Sequence, residues 1–397
     1  MRIALDASSL LPPRTGVGRY TYHLVRELLR LDHVNDYTLF LNSLRRSVPD
    51  ELNQALREGV HVRRRHIPGA WLHRAWRRFG WPPFETLAGP ADIVHAPAGI
   101  IPPVRETPLV LTLHDCYFMR QPENCHALGG RLMRETVPGR IQQCAAVICV
   151  SYLTRQEALD LFGLDPERVH VVHSGVDHEM FRPISDPSRL ENARGRLNLP
   201  NQFFLHVGTL EPRKNLEGLL RAMARLKRIM KEPPKLVCVG AEGFQTSPIH
   251  RAFAELKLQD DVFFTGYVPD DVLPVIYNLA TALAAVSSYE GFGLPVLEAM
   301  ACGAPVVATE AFREAAGDAA IYVPPDDPEQ IARALKQVAG SLELQVETRR
   351  KGLERARGFS WRETARKTLA VYERVHGQQP AASNTRTQRM NVNDTGY

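Results

Sequence analysis

Along the first half of the chain, short runs of β-branched and apolar residues alternate with stretches whose apolar positions recur every three to four residues. That alternation predicts a parallel sheet covered by helices. Strands are expected at Arg2 to Asp6, Tyr37 to Leu41, Val60 to Arg63, Asp92 to His95, Leu109 to Leu113, Ala146 to Val150 and Val169 to Val172. Between Met180 and Pro187 the pattern breaks: Phe181, Pro183 and Pro187 stand among polar residues, as in a linker. It then restarts, with strands expected at Phe203 to Val207, Lys235 to Val239, Val262 to Thr265, Leu283 to Val286, Pro305 to Ala308 and Ile321 to Val323. The fold class is therefore α/β, with two Rossmann-like doubly wound domains expected at 1–182 and 183–360. A helix is expected from Trp361 to His376, and residues 377–397, rich in Gln, Ser, Asn and Thr, are expected to be disordered.

Composition agrees with this division. The chain has 397 residues, more than one hydrophobic core usually supports. The N-terminus runs straight into a short apolar strand and does not read as a signal peptide. Its six cysteines show no disulfide-scaffold spacing, so a reducing cytoplasm is expected. His114, Cys116, Cys125 and His126 lie close together but lack the paired spacing of structural zinc sites, so no metal is expected. The adjacent acids Asp260-Asp261, Asp270-Asp271 and Asp326-Asp327 read as solvated turns.

The net charge of +5 matters through its distribution. From Arg63 to Arg78 there are six arginines and no acid, and Trp71, Trp76 and Trp81 interleave with Arg74, Arg77, Arg78 and Phe79. No nucleic-acid-binding motif accompanies the patch. Reversible docking of the His61 to Phe84 region on an anionic membrane is expected; the competing reading is a buried helix with solvated arginines.

Residues 287–309, SSYEGFGLPVLEAMACGAPVVAT, read as strand, glycine loop, short helix and strand. Pro295 suits a first helical turn and Gly303 a C-terminal stop, so the helix starts just after Gly291 and Gly293 and offers its positive end to an anion. Glu290 and Glu298, with seven residues between them, can face one crevice and accept hydrogen bonds from sugar hydroxyls; alone, the pair is equally compatible with capping. The segment closely resembles the Glu-x7-Glu motif of retaining glycosyltransferase family 4, and other motifs follow in order. The resemblance spans about residues 1 to 376. It implies the GT-B architecture, two Rossmann-like domains facing each other across a cleft, with the helix at 361–376 returning to the N-terminal domain.

By the same resemblance, HVGTLEPRKNL at 206–216 is the phosphate-binding turn, where Arg213 and Lys214 neutralise the donor diphosphate. Family members often carry arginine directly after the strand-ending glycine. Here Gly208 is followed by Thr209, which leaves open the cation that takes that place, Arg213 being the first candidate. In PRTGVGRYTYHLVREL, Gly16 and Gly18 are expected in the loop before an amphipathic helix bearing Leu24, Leu28 and Leu31; the resemblance lays that loop over the diphosphate. The strand ending in TLHD puts His114 and Asp115 at a carboxyl edge, and the family's histidine at this point reaches the donor sugar. Tyr267 and Val268, in GYVPDDVLPVIY, correspond to the segment beside the nucleobase.

The resemblance thus implies His114, Glu290, Arg213 and Lys214 as catalytic. Gly16, Gly18, Thr209, Tyr267, Val268, Gly291, Phe292, Gly293, Leu294 and Glu298 join Arg213, Lys214 and Glu290 in donor binding. The implied reaction is metal-independent, retaining transfer of a hexose from a nucleoside diphosphate to a glycan or lipid-linked acceptor, with no cofactor. GDP-mannose is the favoured donor, because His114 to Glu123 and Glu211 to Asn215 resemble bacterial mannosyltransferases of cell-envelope polysaccharides. A UDP-sugar donor, a sugar-nucleotide epimerase and an inactive sugar-nucleotide-binding subunit are the alternatives.

Overall fold

A computed structural model describes residues 1–11, 15–43, 59–125 and 128–378. Its first sheet contains β1 (Arg2–Asp6), β2 (Asp36–Asn42), β3 (Val60–Arg65), β4 (Ile93–Ala96), β5 (Leu109–Leu113), β6 (Ala146–Cys149) and β7 (Val169–Val171), in the order β3-β2-β1-β4-β5-β6-β7. The second contains β8 (Phe203–Val207), β9 (Lys235–Val239), β10 (Val262–Gly266), β11 (Ala282–Ala285), β12 (Val306–Ala308) and β13 (Ile321–Tyr322), in the order β10-β9-β8-β11-β12-β13. All strand pairs are parallel.

Parallel sheets with helices on both faces bury their central strands, and β5, LVLTL, is buried throughout, whereas the edge strands β3 and β10 keep exposed positions. Some strand ends differ from the expectation by a residue or two. β11 stops at Ala285 because the carbonyl of Val286 accepts a hydrogen bond from Asn215 Nδ2 (3.1 Å) instead of extending the ladder.

Strand order reverses between β1 and β4 in one sheet and between β8 and β11 in the other. Open α/β sheets bind ligands beyond the carboxyl ends of strands at such switch points. The chain leaves β1 into helix Gly16–Leu31, β8 into the turn Pro212–Lys214, and β11 into helix Leu294–Cys302. The sequence motifs therefore sit at the two switch points.

The last helix, Trp361–Gly377, packs on helix Gly16–Leu31, where Trp361 stacks on His23 with ring centroids 5.0 Å apart. Tyr372 from the same helix shares a hydrogen bond with His95 Nδ1 (2.5 Å), tying it to β4. Gly377 closes this helix; beyond Gln378 the expected disordered tail lies outside the described residues. Among the described residues no helix is long and apolar enough to cross a membrane.

Two expectations need correction. One aspartate of each acidic pair is exposed, but the other does structural work. Asp261 is buried and holds Lys227 and Lys235, the latter at 2.7 Å; Asp270 binds Arg19; Asp327 caps helix Pro328–Gly340. Trp76 belongs to the core and not to an exposed aromatic face. It is 3% exposed in helix Gly69–Phe79, and its Nε1 donates to the carbonyl of Pro82 (2.9 Å).

Candidate functional site

A cavity of about 350 Å³ lies between the two domains, lined from one side by Gly16 and His114 and from the other by Thr209, Lys214, Glu290 and Glu298. Arg213, Tyr267, Val268, Gly291, Phe292, Gly293 and Leu294 also line it, so the structure brings together every singled-out site residue but one. That exception is Gly18. Helix Gly16–Leu31 starts earlier than expected because Thr15 caps it, its hydroxyl accepting the N–H of Gly18 (3.4 Å). Both glycines therefore lie in the first helical turn and not in a loop, with Gly18 buried and only Gly16 at the cavity.

Behind β8, Gly208 (φ 153°) leads into the turn Pro212–Lys214, and Asn215 (φ 53°) turns the chain into helix Leu216–Ile229. This geometry aims two consecutive cations at one carboxylate. Lys214 Nζ donates to Glu290 Oε1 (2.7 Å), and Arg213 Nη1 donates to Glu290 Oε2 (3.0 Å). Arg213 Nε also meets Glu211 Oε1 at 2.7 Å. Burial alone raises the pKa of the Glu290 carboxyl, but Lys214 and Arg213 outweigh it and hold the value at about 2. Burial likewise opposes the charge on Arg213, which Glu290 and Glu211 more than offset. The centre is thus a buried carboxylate held between two basic side chains that present several N–H donors to the cavity.

Helix Leu294–Cys302 begins after Gly293, whose φ of 121° favours glycine, and ends at Gly303 in the left-handed region (φ 79°). Its fifth residue, Glu298, is buried, with Oε1 on Arg19 Nη1 (3.2 Å) and Oε2 accepting from Tyr277 Oη (2.9 Å). Burial pushes the Glu298 carboxyl up, and Arg19 offsets this only in part.

Across the cleft, His114 Nε2 lies 2.7 Å from the carbonyl oxygen of Pro97. A carbonyl can only accept, so the proton sits on Nε2 and Nδ1 is left as the acceptor nitrogen of the ring. Burial lowers the imidazole pKa, which favours this neutral form. The domains meet tightly here. A β-carbon on Gly291 would overlap the carbonyl oxygen of His114, while Tyr289 Oη accepts the N–H of Cys116 (3.0 Å) and donates to Glu157 (2.5 Å). Among the described residues no three His, Cys, Asp or Glu side chains gather as metal ligands; His126 lies outside the described residues.

Sequence reasoning missed Arg19, Asp270 and Tyr277. Arg19 carried one signal: a cation near the N-terminal end of a helix opposes the helix dipole and needs an outside partner.

The sequence profile of Glycosyltransferase Family 4 matches residues 14–180, and that of Glycosyl transferases group 1 matches residues 189–356. D-inositol 3-phosphate glycosyltransferase 1 of Catenulispora acidiphila is 30% identical over 72% of this chain and 72% of its own length. The chain belongs to glycosyltransferase family 4. O-antigen chain mannosyltransferase B of Escherichia coli is 28% identical over 94% of this chain and all of its own length. Among solved structures, sucrose-phosphate synthase from Thermosynechococcus elongatus superposes with a TM-score of 0.74 at 21% identity, covering 96% of this chain and 100% of that one. The family 4 chain therefore has the GT-B fold of a glycosyltransferase.

Proposed function

We propose that the chain transfers mannose from GDP-mannose to a glycan or lipid-linked oligosaccharide, with retention at the anomeric carbon and without a metal. The observation that carries the reading is the triad Glu290, Lys214 and Arg213 at the carboxyl end of β8 and β11, beside the start of helix Leu294–Cys302. Departure of a nucleoside diphosphate builds negative charge on the leaving oxygen. Lys214, Arg213 and backbone N–H groups would stabilise it where it forms. Glu298 would accept the ribose hydroxyls, Tyr267 and Val268 would flank the base, and His114 Nδ1 would accept from a donor-sugar hydroxyl. Mannose is supported by the likeness to an O-antigen chain mannosyltransferase over nearly the whole chain.

GDP-mannose, UDP-glucose and UDP-N-acetylglucosamine, each offered with mannose-terminated lipid-linked acceptors, test the donor. The expected product is an α-mannoside, by NMR, formed at an undiminished rate in EDTA. A β-linked product, or activity lost in EDTA and restored only by manganese or magnesium, contradicts the reading.

We further propose a cytoplasmic location, which suits the six free thiols, and peripheral contact with anionic lipid. Helix Gly69–Phe79 buries Leu72 and Trp76 but leaves Trp71 and Phe79 74% and 75% exposed beside the exposed Arg74 and Arg78, and Trp81, just past its end, is 64% exposed. Rings and guanidinium groups on one surface suit the headgroup region, where each basic residue contributes ~1 kcal/mol. Arg77 is tied to Glu135, so it is the weakest contributor. Vesicles containing phosphatidylglycerol should retain the protein at low salt and release it at high salt. Substituting Trp71 and Trp81 by Ser should abolish retention, whereas equal binding to neutral phosphatidylcholine vesicles refutes the contact.

A further inference from the structure

Arg19 is the fourth residue of helix Gly16–Leu31 in the N-terminal domain, yet its charge is spent on the other domain. Nη1 donates to Glu298 Oε1 (3.2 Å) and Nη2 to Asp270 Oδ1 (2.6 Å). The Arg19 side chain is 18% exposed and that of Glu298 7%. Holding two carboxylates with two nitrogens needs the planar fork of arginine; an ammonium on a flexible stem does not reproduce it. The residue also forms a wall. It is shared by the donor cavity and a second cavity of about 510 Å³, lined among others by His23, Arg26, Asp177 and Trp361.

A buried carboxylate without a cation is costly and tends to take up a proton. Glu298 receives one hydrogen bond from its own domain, from Tyr277, and its cation comes from the opposite one. A carboxylate offers about four acceptor sites, so Arg19 and Tyr277 leave room for further donors. We infer that Arg19 is a positioning residue for donor recognition: from across the cleft it fixes and charge-balances Glu298, so that the nucleotide ribose is read only when the two domains are together. The inference rests on the proposed placement of the ribose at Glu298. It adds that this recognition depends on the N-terminal domain.

The test is calorimetry on the full chain with GDP and 2′,3′-dideoxy-GDP, with the UDP pair in parallel, using whichever base binds more tightly. The wild type should prefer the ribonucleotide by roughly tenfold or more, the scale of a hydrogen bond to a charged group. Arg19→Ala should reduce that preference below about threefold while changing dideoxynucleotide affinity little, and Arg19→Lys should restore only part of it. Adding Glu298→Gln to Arg19→Ala should remove nothing more, since the two act as a unit. Arg19→Gln, which keeps the side-chain volume without the charge, serves if the alanine variant does not fold. A wild-type preference retained in folded Arg19→Ala or Arg19→Gln protein overturns the inference and leaves the ribose placement standing. Absence of any preference in the wild type overturns the ribose placement, and the role of Arg19 with it.

Discussion

Lys214→Ala should weaken binding of a nucleoside diphosphate by about 10- to 100-fold, the equivalent of ~1.5–3 kcal/mol for a charge-assisted hydrogen bond. The effect has two sources. The substitution removes a buried ammonium that faces the cavity, and it leaves Glu290 with Arg213 as its remaining partner in the triad. A buried carboxylate that has lost a cation repels an incoming diphosphate more strongly, so turnover should fall at least as far as affinity. Glu290→Gln, which keeps the shape but removes the charge that orients both cations, should lower kcat more than it raises KM. Calorimetry with GDP and UDP, together with transfer kinetics, separates the two variants. Affinity unchanged by Lys214→Ala would remove this residue from the donor site.

Gly291→Ala should cost on the order of 10²-fold in kcat/KM for a different reason. Ordinary backbone dihedrals are available to alanine, but the new β-carbon would overlap the carbonyl oxygen of His114 and come within 3.0 Å of Asp115 Cβ. Both obstacles belong to the opposite domain, and one is backbone, which cannot rotate out of the way. Relief requires the cleft to open, which carries His114 away from the triad. Affinity for a nucleoside diphosphate should fall less than turnover, by roughly the tenfold that the Arg19–Glu298 contact supports, because Lys214, Arg213 and Glu290 are all on one domain. Equal losses in both, or full activity, would show that the close approach at Gly291 does not set the catalytic geometry.

The strands and the two cavity-facing turns were legible in the sequence because each is encoded locally. Buried parallel strands require apolar runs such as AVIC in β6, and a helix start after Gly291-Phe292-Gly293 is marked by its own residues. What escaped depends on partners far along the chain. Arg19 meets Glu298 and Asp270 over separations of 279 and 251 residues, and nothing near Arg19 names those partners. Trp76 and Trp71 look alike in sequence, but only Trp76 falls on the face of helix Gly69–Phe79 that packs inward. Gly18 was misplaced by a single capping hydroxyl, that of Thr15, which moves the helix start back over both glycines.

Hydrogen exchange of the full chain with and without a saturating nucleoside diphosphate tests the central claim most directly, because it locates the donor without assuming its sugar. Added protection is predicted at Gly208–Asn215 and Glu290–Glu298, and on the facing side at Thr15–Tyr20 and His114–Tyr117, the segments that the cavity brings together. Protection confined to other segments, or no change at a concentration that saturates binding, would contradict a donor site built on Glu290, Lys214 and Arg213.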